Sequence, residues 1–482
     1  MTIFGIAFFI IYSCKHTPKV LPGATVNTNY HVNFSPIPPA DLDTGAGPKK
    51  LAEFAWEEFL ALNWKASYNN NNQQRDSPDT SWNYWKDTTN AYPDLDVWET
   101  YAHRTELRPY SDQMQPFNNP PHYSFGDTIK ADPSNPNASF TLFNNLDENN
   151  EIGSCDMYAH VNIYNKQDQV LYEAKVNSEE YNYILQNYPT KALLHNATTK
   201  TAANIITDSA YFPKGKTTCG CPIGVICLPC GDSASKTVGT IEIKAAWRRL
   251  TKLDDTSKFF TRKVIYYTQN SAGKFFYNNA TYALIALHII HKTKNYPAFV
   301  FATFEHIGVK QDHMGYELIS PKNPKDTNLM TPRRDPILAL TEGVTNYVHG
   351  KLPHKSIWQN YRLVGVQSKP SSDSTSTPNF FLSNYVVESD YTLNHFNGNS
   401  IDTPHNHKTN LLYKGKFLSM GGCQGCHGVA QVTLGTDFSF LLDNNGKPVL
   451  GPDTINSKAK LKGYIREIEL AHLKLAKLKA KK

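Results

Sequence analysis

Between residues 50 and 64, Leu51, Ala55, Phe59 and Leu62 recur at three- and four-residue steps, while Glu53, Glu57 and Glu58 fall mostly off that stripe. This period predicts an amphipathic helix. Farther along, the period drops to two. Residues 159–164 and 170–176 read as a hairpin, 239–248 as a strand with charged residues at alternate positions, and 259–267 as another strand. The most regular pair is 282–291 with 298–306. Both arms are apolar on both faces, which predicts central strands covered on each side. Helical spacing returns at 179–186, at 335–350, and at 457–482, where Leu461, Tyr464, Ile465, Ile468, His472 and Leu475 make one stripe. Residues 101–149 are rich in Pro and Asn and predict irregular chain, and 371–377 predict a Ser/Thr/Asp loop. The pattern describes an α+β protein, a β-rich central body with flanking helices and a distinct C-terminal segment.

Length changes this picture little: 482 residues allow two or three domains or one large domain with insertions, and 40% hydrophobic with 12% aromatic residues is ample for a core. Charge changes it more. The net +6 is owed to residues 457–482, which alone carry +7, so the remainder is close to neutral at −1. No basic surface for nucleic acid is thereby implied, and no nucleic-acid motif appears. At the other end, the apolar run over 3–11 is too short to span a bilayer, which takes about 20 residues, but it suits a signal-peptide core. It closes on Ile11-Tyr12-Ser13-Cys14, similar to a bacterial lipobox in which the cysteine is lipidated, although no Lys or Arg precedes the run and Tyr12 is bulky for its place. The expectation is export and anchoring to the outer membrane through Cys14, in the periplasm or at the cell surface. Residues 15–49, rich in Pro, Asn and Thr, would tether a body over 50–378 and a final segment over 379–482.

That final segment holds the sharpest chemistry. Cys423-Gln424-Gly425-Cys426-His427 has the spacing of c-type haem attachment: two thiols bond the haem and the adjacent imidazole ligates its iron. Gly421, Gly422, Gly425 and Gly428 around it allow close backbone approach. The same five residues also suit a disulfide loop or half a zinc site, but no second C-x-x-C or H-x-x-H follows closely to complete a zinc tetrad.

Several stretches in order resemble a group of large bacterial periplasmic proteins carrying a single c-type haem motif near the C-terminus, a cytochrome c family. They are 59–64 (FLALNW), 97–100 (VWET), 241–248 (IEIKAAWR), 287–289 with Lys292-Thr293, 302–306 (ATFEH), 382–384 with Glu388, the haem motif itself, and 437–442 (DFSFLL). The resemblance runs from about Leu51 to Leu442. It implies covalent haem c and redox function, and carries over no substrate.

The sixth iron ligand decides which redox function. The last methionine, Met420, lies upstream and too near the motif to reach across the ring. A histidine would close the site, with His472, His288 and His306 as candidates, and would give an electron carrier working with a redox partner protein. An open position would instead give a peroxidase- or oxygenase-like oxidoreductase acting on a small-molecule oxidant, with Glu305 and His306 as a distal acid-base pair. A surface binding protein with a purely structural haem is the third possibility. Electron transfer is the leading expectation. Cys219, Cys221, Cys227 and Cys230, outside the resemblance, have spacing for zinc or for two disulfides, and an oxidising compartment favours disulfides. Cys227-Leu228-Pro229-Cys230 also looks like a thioredoxin-type dithiol without the βαβ setting such a motif needs. Cys155 leaves the count odd.

Overall fold

The computed structural model describes residues 29–455 apart from 88, 110, 124, 126–127, 140–142, 150–157, 162–165, 208–216, 222–223, 312–313, 315–336, 369–383, 385, 388–409, 414–415, 420–421 and 443–450. The expected signal segment with Cys14, Cys155, the loop at 371–377 and the closing helix with His472 lie outside the described residues. Seven helices are described: α1 (Pro48–Leu62), α2 (Arg104–Leu107), α3 (Ser178–Asn187), α4 (Lys191–Thr207), α5 (Gly308–Gln311), α6 (Ile337–Lys351) and α7 (Gly422–Val429). The strands are β1 (Ala102–His103), β2 (Lys130–Ala131), β3 (Asn145–Leu146), β4 (Tyr158–Val161), β5 (Lys166–Val176), β6 (Cys230–Asp232), β7 (Thr237–Gly239), β8 (Ile241–Arg249), β9 (Thr261–Gln269), β10 (Phe275–His291), β11 (Val300–His306), β12 (Tyr361–Gln367), β13 (Asn410–Tyr413) and β14 (Lys416–Ser419).

Ten of these strands form one mixed sheet whose main path runs β1-β5-β8-β10-β11-β12, antiparallel at every step. The short β2 and β3 join in parallel, on β10 and β9. The 17-residue β10 is long enough to serve two sets of partners. Its first half pairs with β9 from Phe275 to Ala283, and its second half lies between β8 and β11. The body is therefore a β-rich α+β fold around a large, mainly antiparallel sheet. Among the described residues, no helix is long and apolar enough to cross a membrane.

Successive side chains of a strand point to opposite faces, and both faces of the central strands are covered. On one face Ile243 and Trp247 of β8, Leu287 and Ile289 of β10 and Phe304 of β11 join Trp56 and Phe59 of α1, Val344 and Val348 of α6, and Trp358. Phe59 stacks on Phe304 with ring centroids 4.2 Å apart, and Trp56 meets the same ring edge-on at 5.0 Å. Helix α1 is buried well beyond the predicted stripe: Trp56 and the carboxylates Glu53 and Glu58, expected off the apolar face, are buried as well. On the other face Ala174 and Val176 of β5, Ile290 of β10 and Phe301 of β11 join Cys423 of α7 with Phe438, Leu441 and Leu442. This double burial explains why 282–291 and 298–306 carry no polar face.

Two features depart from the pattern-based expectation. Residues 29–47, inside the segment expected to tether, lie on the body: Tyr30 and Val32 are buried in the first core, and the amides of His31 and Asn33 donate to Glu53 and Glu57 of α1, both at 2.8 Å. Two apolar anchors one residue apart are easily lost among Pro and Asn. Helix α4 carries no clear apolar stripe in its Thr-, Asn- and Ala-rich sequence, yet Thr198 and Thr201 are buried.

Candidate functional site

The motif Cys423-Gln424-Gly425-Cys426-His427 lies on α7, so both cysteines and the histidine belong to one rigid helical element. Gln424, at a position the sequence reading leaves without a role, pins that helix to the sheet. Its side chain is fully buried, and its amide nitrogen donates to the carbonyls of Ala298 and Phe299 at 2.9 and 3.0 Å. Its backbone amide donates to Gln367 Oε1 of β12 at 2.9 Å. A polar residue between two cysteines gives no sign in the sequence that it will be an internal anchor; only the approach of the β11 entry and the β12 end creates its partners.

His427 is held by one nitrogen. Nδ1 donates to the Phe438 carbonyl at 2.7 Å; a carbonyl only accepts, so the proton sits on Nδ1 and the lone pair on Nε2. A carbonyl bonded to Nδ1–H in this way orients an imidazole whose Nε2 binds iron or zinc and makes that nitrogen more basic. Phe301 and Phe440 meet the partly buried ring edge-on, with centroids 4.9 and 5.0 Å away. Burial, with a smaller effect of Lys244, lowers its pKa to about 4 even against the favourable Phe438 contact, so the imidazole is neutral at physiological pH.

The Phe438 carbonyl is aimed by an unusual stretch of backbone. After α7 the chain widens into a π-helical turn over Ala430–Leu434, and Gly435, Asp437 and Phe438 follow at φ +70°, +51° and +70°. Gly435 has to be glycine: a Cβ would sit 2.1 Å from the Thr198 carbonyl of α4. Two non-glycine residues in a left-handed conformation cost of order 1–3 kcal/mol each. The loop persists because Asp437 is anchored, accepting the Leu228 amide at 2.7 Å and pairing with the buried Lys292 ammonium. Next to it Glu180 of α3 and Glu242 of β8 form a buried carboxyl pair. Burial pushes Glu180 well above the usual carboxylate range, with the nearby Glu242 and Asp437 carboxyls adding to it, and burial pushes Glu242 up to about 7.

The remaining expected site residues fall as follows. His288 of β10 is paired with Lys244 of β8 and Thr303 of β11, two positions from Ile290, and therefore lies on the face that α7 covers. Burial, with Lys244 and His427 as neighbouring positive charges in their protonated forms, pushes its pKa down to about 3. Glu305 is fully buried and accepts from Arg362 Nε and Nη2 at 3.0 and 2.5 Å. His306 is engaged at both nitrogens, Nε2 donating to the Lys258 carbonyl and Nδ1 accepting the Gly308 amide, each at 3.0 Å. Its ring lies flat on Phe259 at 4.1 Å, and burial lowers its pKa to about 4. The structure thus brings His288 onto the covered face beside the motif and leaves Glu305 and His306 tied into local ion-pair and backbone contacts. The four clustered cysteines form two disulfides, Cys219–Cys230 and Cys221–Cys227.

No protein-family model, curated protein or solved structure matches the chain.

Proposed function

We propose that this is an exported mono-haem c-type protein whose role is electron transfer with a redox partner protein. The observation that carries the reading is the pairing of the C-x-x-C-H sequence on α7 with an Nδ1-to-carbonyl bond that leaves Nε2 of His427 as its ligand atom. The residues fit the group. Cys423 and Cys426 would bond haem c covalently and His427 would ligate its iron. Bound haem would supply a one-electron couple. The chain's own part is to fix the imidazole tautomer through Phe438, to pack Phe301 and Phe440 against its ring, and to hold α7 against the sheet through Gln424.

Two observations favour a carrier over an oxidoreductase with a distal acid-base pair. Glu305 spends its carboxylate on Arg362, and both nitrogens of His306 are engaged by backbone groups. His288, on the face that carries the motif, is the best-placed described candidate for a sixth ligand. Anchoring to the outer membrane through Cys14 completes the proposal.

Expression with the bacterial cytochrome c maturation system tests it. The expected product gives a pyridine haemochrome spectrum and covalent haem on a denaturing gel, both lost in the Cys423→Ala/Cys426→Ala variant, and a six-coordinate low-spin ferric spectrum indifferent to cyanide. No haem at all would sink the haem reading. High-spin ferric iron that binds cyanide would sink the carrier and leave the oxidoreductase, and iron that cannot change oxidation state at physiological potentials would leave a structural haem.

A further inference from the structure

The Cys221–Cys227 bond lies in a setting different from its neighbour. Cys221 is buried at 5% exposure, whereas Cys227 is partly exposed. The fully buried Lys292 ammonium stands 3.2 Å from Cys221 Sγ and 3.6 Å from Cys227 Sγ while paired with Asp437. Thr217 Oγ1 lies 3.2 Å from Cys227 Sγ. At the Cys219–Cys230 bond, the Cys230 amide donates to Cys219 Sγ at 3.1 Å, and among the described residues no ammonium is in reach. Both sulfurs of the first pair and a carboxylate oxygen of Asp437 lie within 4.8 Å of one another, the outline of a metal site, but the lysine nitrogen already provides the cation there.

Thiol–disulfide exchange has two requirements that this asymmetry meets. The attacked sulfur must be reachable, and the departing sulfur must be stabilised as a thiolate. A cation lodged against the buried sulfur stabilises charge that appears only when the bond breaks. Lys292 is placed by its pair with Asp437, whose carboxylate oxygens lie 4.0 Å from Cys221 Sγ, and that pairing leaves the lysine nitrogen closer to the sulfur, at 3.2 Å, than the carboxylate.

We propose that Cys221–Cys227 is a redox-active disulfide that accepts electrons from a protein dithiol, with Cys227 as the attacked sulfur and Cys221 as the leaving thiolate held by Lys292. A partner thiolate attacks Cys227 Sγ and forms a mixed disulfide; the Cys221–Cys227 bond breaks and its electron pair stays on Cys221. The partner's second thiolate then attacks its own bridged sulfur, closing the partner's disulfide and releasing Cys227, whose thiolate receives the Thr217 hydroxyl. The partner dithiol is oxidised by two electrons, the Cys221–Cys227 pair is reduced by two, and the two protons of the partner's thiols pass to the two cysteines.

Full-length protein, equilibrated in stepped ratios of reduced to oxidised glutathione, acid-quenched, alkylated and mapped by peptide mass spectrometry, tests this without reference to haem. Cys221 and Cys227 should become reduced at ratios that leave Cys219–Cys230 intact. A short pulse of reduced glutathione should place the mixed disulfide on Cys227 in about tenfold or greater excess over Cys221, and Lys292→Gln should slow the reduction by about tenfold. The wild-type pulse decides the matter even if that variant does not fold. Adducts mainly on Cys221, reduction of both bonds together and only in denaturant, or a folded Lys292→Gln protein reduced at the wild-type rate would overturn the proposal.

Discussion

Replacing Gln424 by leucine tests whether the motif helix is anchored from inside the sheet. The two side chains are close in size, so packing is largely kept, while two buried hydrogen bonds of 2.9 and 3.0 Å are removed. A neutral hydrogen bond contributes about 1 kcal/mol net, and a buried carbonyl left without a donor costs about 1–3 kcal/mol. Ala298 and Phe299 are 4% and 0% exposed, so water does not readily replace the lost donor. The expected destabilisation is about 2–4 kcal/mol. Phe299 adds to it, since its φ of +62° depends on its surroundings to persist. Urea unfolding followed by tryptophan fluorescence would show a lower midpoint with an unchanged slope. Leucine also removes the buried, unpartnered Gln424 Oε1, which offsets part of the loss, and a variant as stable as the wild type would refute the anchoring argument.

Two further outcomes follow from the buried ionisable groups. Glu242 has a pKa raised to about 7, so its contribution to stability is fully present below the ordinary carboxylate pKa and is lost as pH rises through 7; Glu242→Gln should remove roughly 3 kcal/mol of that decline, read from chemical unfolding between pH 5 and 8. His306, with its pKa lowered to about 4, acts in the opposite sense, its contribution being present above the ordinary histidine pKa and lost as pH falls through 4, so an unchanged pH profile in Glu242→Gln would show that the histidines dominate. Arg362→Met removes the guanidinium partner of the Glu305 carboxylate and should destabilise by up to about 3–5 kcal/mol, much of it recovered by adding Glu305→Gln; equal losses in the single and double variants would show that the pair is not coupled.

Much of the architecture is legible in the chain because burial leaves a periodic trace. The stripe of Leu51, Ala55, Phe59 and Leu62 marks α1 to within two residues, and the unbroken apolar run over 282–291 announces a strand covered on both faces. Helix α4 leaves a weaker trace because its buried threonines look polar in one dimension, and Tyr30 and Val32 leave none because extended chain laid on a surface needs no period.

The candidate site divides along the same line. Spacing of five residues suffices to nominate Cys423, Cys426 and His427, since covalent attachment and ligation are demands on neighbours in sequence. The supporting groups come from distant segments, and only folding brings them together: Phe438 to hold the imidazole, Ala298, Phe299 and Gln367 to receive Gln424, and Lys292 with Asp437 beside Cys221. The pairing of the four clustered cysteines belongs to this second group. Four cysteines allow three connectivities, and the fold joins Cys219 to Cys230 and Cys221 to Cys227, where Lys292, leaving the end of β10, arrives against the inner bond. Sequence determines which chemistry is available, because bond-forming atoms are carried by residue types. Tertiary structure alone decides which of those atoms are enclosed, charged or reachable, because these properties belong to the space between segments.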